Sequence, residues 1–350
     1  MKAAYWHGHK DIRIREVPEP ETTPGTVKIR VAWAGICGTD RHEYTGPNFI
    51  PTTKPHRLTG RTAPLVMGHE YTGEVVEAAP DVRGWEPGTR VTASGTLCCR
   101  ECPACVGKKR PNVCEKLGFT GVSTDGAFAD YVVVPAYQLY EVPEGLDLRT
   151  TVLAEPLACG QHAVNLLGGV AGERVLINGS GIIGLSAFLA CRVGGARDVT
   201  VAGWGAEKRS YVERQGGRYI DVSTDEGAKR LAGQRADVAF ECVGLEGTLR
   251  SAIDALVPTG KLMVMGVFAQ EPHFPMNFFQ EGERTLYTSQ AYNEEIGEVL
   301  SQMAEGRYAD LESLVTAEIG LDDLVGKGFE ELERNAAKHA KVIIRLSGKR

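Results

Sequence analysis

Short runs of alternating apolar and polar residues fill the first part of the chain. The segments 27–32, 73–78, 90–93 and 130–135 are rich in valine, and glycine or proline bounds several of them. They predict β-strands. Near residue 151 the texture changes, because 154–167 carries apolar residues at helical spacing with only Pro156 and Gly160 as internal breakers. A domain boundary is expected there. From Arg174 the order becomes strand (174–178, RVLIN), glycine turn, helix (185–193, apolar nearly all round) and strand (198–202, DVTVA), which is a βαβ unit. Further strands are expected at 238–242, 262–266 and 285–289, with a helical pattern at 249–256. The stretches 294–305 and 321–333 read as helices and 340–346 as a closing strand. No internal repeat or low-complexity stretch interrupts this order.

A length of 350 residues, at roughly 150 per domain, suggests two domains. Hydrophobic residues make up 43% and charged ones 24%, so the chain is neither disordered nor fibrous. Lys plus Arg number 39 against 45 Asp plus Glu, a net charge of -6, which argues against nucleic acid as a partner. No run approaches the ~18 apolar residues of a membrane span, and the opening MKAAYWHGHKDIRIREV lacks the apolar core of a signal peptide. The expectation is a cytoplasmic protein with no membrane partner. The 9 cysteines change the picture most, since Cys98, Cys99, Cys102, Cys105 and Cys114 crowd one short segment. In an intracellular chain that clustering points to metal before disulfide.

Gly179, Gly181 and Gly184, with Ile182 and Ile183 between the last two, form G-x-G-x-x-G after a strand and at the opening of a helix. The first glycine permits the turn, the second admits a pyrophosphate and the third lets helix and strand pack closely. The motif alone is weak; its place inside a βαβ unit makes it a dinucleotide site. Users of NAD place Asp or Glu about 20 residues further on to hold the ribose. Here the second strand ends in Ala202, Gly203, Trp204 and Gly205, followed by Lys208 and Arg209. With no carboxylate to repel a 2′-phosphate and two cations nearby, NADP is favoured and NAD is not excluded.

Two sets of metal ligands stand out. Cys99, Cys102, Cys105 and Cys114 supply four thiolates in one loop, a closed tetrahedral zinc site with a structural role. Cys98 is an alternative first ligand, though Cys99 keeps the regular spacing. Cys37, His69, Glu70 and Glu155 are scattered along the chain. A thiolate, an imidazole and a carboxylate hold zinc while leaving a position for substrate, as a catalytic site requires. Spacing alone does not show that these four converge.

Taken together, AGICGTDRHEY at 34–44, FIPTTKPHRLTG at 49–60, APLVMGHEYTGEVVE at 63–77, the CRECPAC loop, GAFADYVVVP, EPLA, NGSGIIG and KGFEEL at 327–332 resemble the zinc-dependent medium-chain dehydrogenases. Within that superfamily the chain is most similar to the 2,3-butanediol dehydrogenase branch, near sorbitol and threonine dehydrogenases. The resemblance covers nearly the whole length. It implies an α/β protein: a GroES-like β-rich catalytic domain over 1–150 completed by 291–350, and a Rossmann doubly wound parallel-sheet domain over 151–290, with the active site in the cleft. It further implies catalytic zinc on Cys37, His69 and Glu70, with Glu155 nearby as an alternating or water-held ligand. Thr39 matches the hydroxyl that bonds the substrate oxygen, His42 the histidine that passes the proton to solvent, and Asp40 the carboxylate that orients the ligand histidine.

Four positions depart from the family pattern: Arg100 replaces the usual glycine, the spacing to Cys114 is one residue long, Gly203 replaces the acid, and GDRV becomes Gly88-Thr-Arg-Val91. The implied substrate is a vicinal diol or its hydroxyketone, butanediol and acetoin. Cys159-Gly-Gln161, where relatives often have small apolar residues, and the NADP preference leave a polyol, a sugar or a bulkier secondary alcohol open. Tyr44, Phe49, Ile50 and Phe119 are candidates for an apolar pocket wall, with core packing as their alternative. A different class, a catalytically silent NADP-binding sensor or structural protein, would be marked by a lost ligand; every ligand is present. Paired Rossmann edge strands, common in the family, imply a homodimer or homotetramer.

Overall fold

A computed structural model describes residues 1–46 and 49–346. The chain divides into two compact units, Met1–Glu155 with Val315–Ala336 and Lys341–Arg350, and Pro156–Leu314 with Ala337–Ala340.

The first unit is β-rich, in the GroES-like manner. Its longest strand, β1 (Thr26–Gly35), is central because Val27, Ile29 and Val31 are fully buried and it pairs on both sides. Antiparallel neighbours are β2 (Glu70–Ala78), Tyr131–Pro135 and the closing strand Lys341–Arg345, which itself pairs in parallel with Val315–Gly320. The register sets Gly35 opposite Glu70 on one side and Ile343 on the other. An eight-residue helix, α1 (Gly38–Thr45), follows β1 directly. A separate hairpin, Lys2–Gly8 with Asp11–Glu16, extends by pairing with Leu65–Val66.

The segment 321–333, expected as one helix, is three. A 3₁₀ turn (Leu321–Asp323) leads into a π-helix (Leu324–Phe329) and then an α-helix (Glu330–Arg334). The apolar spacing explains the change. Leu324 and Phe329 are both fully buried yet lie five apart, a step that the wider π turn, with i→i+5 bonding, puts on one face.

The second unit is a Rossmann-like parallel sheet. In chain order its strands are β3 (Arg174–Asn178), β4 (Asp198–Gly203), β5 (Arg218–Asp221), β6 (Ala236–Glu241), β7 (Leu256–Val264) and β8 (Thr285–Thr288). Their spatial order is β5-β4-β3-β6-β7-β8, the doubly wound order in which ligands sit beyond the carboxyl ends of β3 and β6. The core of β3, Val175 to Ile177, is buried on both faces, as a sheet covered on two sides requires.

The compact units place 291–314 differently from the expectation that 291–350 completes the first domain: this stretch belongs to the second unit. Helix α4 (Glu295–Ala304) buries Ile296, Val299, Leu300 and Met303, and Glu295 accepts a 2.8 Å bond from His162, also of the second unit. Residues 347–350 lie outside the described residues.

Gly160, taken from the sequence as a breaker, is a packing contact. It lies in helix α2 (Ala154–Leu166), and a Cβ there would stand 2.4 Å from the carbonyl of Ser186 in helix α3 (Ile182–Val193). Helix propensity alone predicts that Gly160→Ala stabilises by about 1 kcal/mol. The contact decides the sign, because neither backbone can yield cheaply, and a net loss of about 1–3 kcal/mol is expected. A lowered urea midpoint with unchanged slope is the signature; a raised midpoint would mean the helices separate freely.

Candidate active site

The first cluster arises from the end of β1. Cys37 lies two residues past Gly35 and opens α1, where Asp40 Oδ2 accepts the Cys37 N–H at 2.9 Å. β2 begins at Glu70, across from Gly35, with His69 immediately before it. Two neighbouring strands therefore bring Cys37, His69 and Glu70 together, with their ligand atoms within 4.8 Å of one another. Glu155 is buried but stands outside this group. On α1, Thr39 is half-buried and His42 is exposed.

The electrostatics suit a cation. Burial pushes the Cys37 thiol up and raises the Asp40 carboxyl to about 6. Burial also weighs against a charged His69, but Asp40, Cys37 and Glu155 outweigh it and hold the imidazole well above its ordinary value. Asp40 Oδ1 and His69 Nδ1 are buried 3.7 Å apart, each without a hydrogen-bond partner. Buried polar groups left in that state are costly. Anionic donors crowded in a dry place fit a divalent ion, and a thiolate–imidazole–carboxylate set is one that zinc accepts.

Sequence reasoning missed Lys341. Its side chain is 1% exposed, and its Nζ donates to Glu70 Oε1 at 2.7 Å, to Glu70 Oε2 at 2.6 Å and to the Ile36 carbonyl at 3.2 Å. Burial works against the ammonium, yet Glu70, Cys37 and Glu155 raise its pKa overall. The one available signal was a lysine at the head of a closing strand whose middle, Val342 to Ile344, is apolar.

The second cluster is Cys99, Cys102, Cys105 and Cys114. Four thiolates bound at about 2.3 Å around one tetrahedral ion stand about 3.8 Å apart. The observed Sγ separations are 3.4 Å (99–114), 3.5 Å (102–105), 3.9 Å (102–114) and 4.0 Å (99–105). The N–H groups of Cys99 and Lys116 donate to Cys114 Sγ and that of Cys102 to Cys99 Sγ, which stabilises thiolates. Backbone N–H donors, first that of Glu115, pull the Cys102 thiol down to about 6. Cys98 stays outside the group; its N–H donates to Tyr137 Oη. Arg100 takes a left-handed φ of 58° and lies over the Tyr137 ring.

In the second unit, Gly181 caps α3 and leads into Ile182 and Ile183. Gly179 has φ +117°, and a Cβ on Gly184 would stand 1.9 Å from the Gly179 carbonyl oxygen, the close helix–strand approach that the third glycine serves. Gly203 ends β4 with two hydroxyls beside it: Tyr219 Oη donates to Ser180 Oγ at 3.1 Å. Lys208 is buried, and Arg209 is half-exposed and paired with Glu213 at 3.0 Å. Ser180 and Tyr219 were not legible as site residues, because only strand pairing brings β5 beside β4.

Comparison with known proteins agrees with this geometry. The model of the alcohol dehydrogenase GroES-like domain matches residues 23–144, and that of the zinc-binding dehydrogenases matches 183–305. The chain is 37% identical to the (R,R)-butanediol dehydrogenase of Bacillus subtilis (strain 168) over 99% of each chain. The crystal structure of the 2R,3R-butanediol dehydrogenase from Bacillus subtilis superposes with a TM-score of 0.89 at 36% identity, over 99% of both chains. A Sinorhizobium meliloti 1021 protein solved with NADP bound gives 0.87 at 30% identity, over 98% of both. The two thiolate-bearing clusters, the Rossmann-like sheet and these likenesses lead to one conclusion: the chain belongs to the zinc-binding medium-chain dehydrogenases, NAD(P)-dependent oxidoreductases of secondary alcohols, and is similar to their butanediol branch.

Proposed function

We propose that the protein transfers hydride between a vicinal diol or its hydroxyketone, 2,3-butanediol and acetoin, and NADP. The full-length likeness to a butanediol dehydrogenase carries this reading, and the Cys37, His69 and Glu70 group supports it. When bound there, zinc would supply a Lewis acid that makes an alcohol proton acidic near neutrality, and the dinucleotide would take the hydride. The residues of the chain do the rest. Cys37, His69 and Glu70 hold the ion, with Glu155 in reserve, and Asp40 orients the His69 ring. Thr39 accepts the proton of the alcohol while its own hydroxyl proton passes on, and exposed His42 delivers it to water. Gly179, Gly181, Ile182, Ile183 and Gly184 receive the pyrophosphate. The bare strand end at Gly203, with the Arg209 cation nearby, favours a 2′-phosphate. The outer edge of β8 has no strand partner among the described residues, and it supports a homodimer or homotetramer.

A panel of diols, polyols, sugars and secondary alcohols, assayed with NADP and NAD separately, tests both choices. The expected result is the highest kcat/KM with 2,3-butanediol and about tenfold or greater preference for NADP, the size of one charge-assisted contact. A polyol or sugar optimum would replace the substrate assignment, and a strong NAD preference would defeat the cofactor assignment.

A further inference from the structure

The segment Phe49–Gly60 is fastened at both ends. At its start stands Glu43 of α1, fully buried, whose Oε1 accepts the Phe49 N–H at 2.6 Å and whose Oε2 accepts the Ile50 N–H at 3.1 Å. The Glu43 carbonyl is fixed in turn by the Trp6 indole N–H at 3.1 Å. Further along, the segment meets the lobe that follows Cys114. Arg57 donates to the Glu115 carbonyl at 2.8 Å, His56 Nε2 lies 3.0 Å from the Leu117 carbonyl, and Thr59 donates to that of Ser123.

The choice of residue is informative. Two successive peptide N–H groups need two acceptor oxygens, which a carboxylate offers on one carbon and an amide does not. Burying a carboxylate costs more than burying a neutral group, so a segment that only had to be covered would be held more cheaply by other means. The placement is informative too. Thr39 and Glu43 are i and i+4 on α1 and so share one face of the helix. Ile50 sinks into the core of the first unit at 4% exposure, whereas Phe49 stays 47% exposed. The ring of Phe49 is therefore not a core residue, and its backbone is tied to the face that carries Thr39.

We propose that Glu43 is a positioning residue for substrate selection: its carboxylate holds Phe49 at the face of α1 that carries Thr39, where the ring serves as an apolar wall against which the carbon chain of a short diol packs. This rests on the alcohol dehydrogenase reading above. Glu43→Gln keeps the shape and turns one acceptor into a donor that faces an N–H. In the zinc-loaded enzyme, KM for the best alcohol of the panel should rise about tenfold while kcat stays within about threefold, the pattern of lost uniform binding. Zinc content should not change, and amide hydrogen exchange at Phe49 and Ile50 should quicken about tenfold. Phe49→Ala should raise KM similarly without quickening exchange at Ile50, and the double variant should be no worse than Phe49→Ala alone. An unchanged KM despite faster exchange, or additive effects in the double variant, would overturn the proposal and leave Glu43 a fold residue. A wild type that rejects 2,3-butanediol but shows this coupling with another alcohol overturns the substrate assignment alone.

Discussion

Replacing Cys37 by alanine is expected to lower turnover on the order of 10³-fold or more, while both units stay folded. Loss of a Lewis acid removes several kcal/mol of charge stabilisation, and each 1.36 kcal/mol is a factor of ten. The thiol is the only sulfur in its cluster, and burial holds its pKa up against the opposing pull of His69 and Lys341. A cation there reverses that balance, so binding of zinc and ionisation of Cys37 are one event. Without the thiol, His69 and Glu70 remain, and Glu70 is already bound through both oxygens to Lys341. With Glu70 engaged and the reserve Glu155 standing outside the cluster, the remaining donors do not supply the three protein ligands of a catalytic site. The structure of α1 should survive, because the Cys37 contact with Asp40 is made through its backbone N–H. Metal analysis should therefore fall from two zinc per chain to one, with circular dichroism unchanged. Retained activity, or two zinc in the variant, would remove Cys37 from the site. A wild type with a single zinc would favour the silent, NADP-binding alternative.

What the sequence made legible follows the kind of signal each element carries. The second unit could be read nearly in order, because buried parallel strands are short apolar runs and the glycine loop between β3 and α3 is fixed by close approach. Strand β5 went unread because its four residues, RYID, present only two buried side chains. In the first unit the most consequential omission is α1. The buried face of that helix is Asp40, Glu43 and Tyr44, so apolar periodicity, the usual sign of a helix, is absent where the proposed proton path begins. A helix that buries carboxylates to bind the backbone N–H groups of Cys37, Phe49 and Ile50 hides from any hydrophobic pattern. The thiolate loop was legible because its four ligands lie within sixteen residues, 99–114, of one another. Cys37, His69 and Glu70 were named from the sequence, but their meeting depends on the register of Gly35 with Glu70, which spacing does not encode. Lys341 depends on more still: it reaches Glu70 across 271 positions because the chain returns to add its closing strand beside β1.

That return makes Lys341→Met the second large effect. All three protons of the ammonium are used, two on Glu70 and one on the Ile36 carbonyl. Methionine fills similar space without donating, and Glu70, itself fully buried, is left as a carboxylate without its cation. Breaking a buried pair from one side costs about 3–5 kcal/mol, whereas replacing both partners by neutral groups is often near neutral. Lys341→Met should therefore lower the unfolding free energy of the enzyme by about that amount in urea, and Lys341→Met combined with Glu70→Gln should recover most of it. The two positions are in contact, so strong non-additivity is the expected sign of the pair. Equal losses in the single and double variants would mean that the aliphatic stem of Lys341, rather than its charge, holds the closing strand. Such a result would also free Glu70 from its assigned partner, and the balance of charges around Cys37 and His69 would then rest on zinc alone.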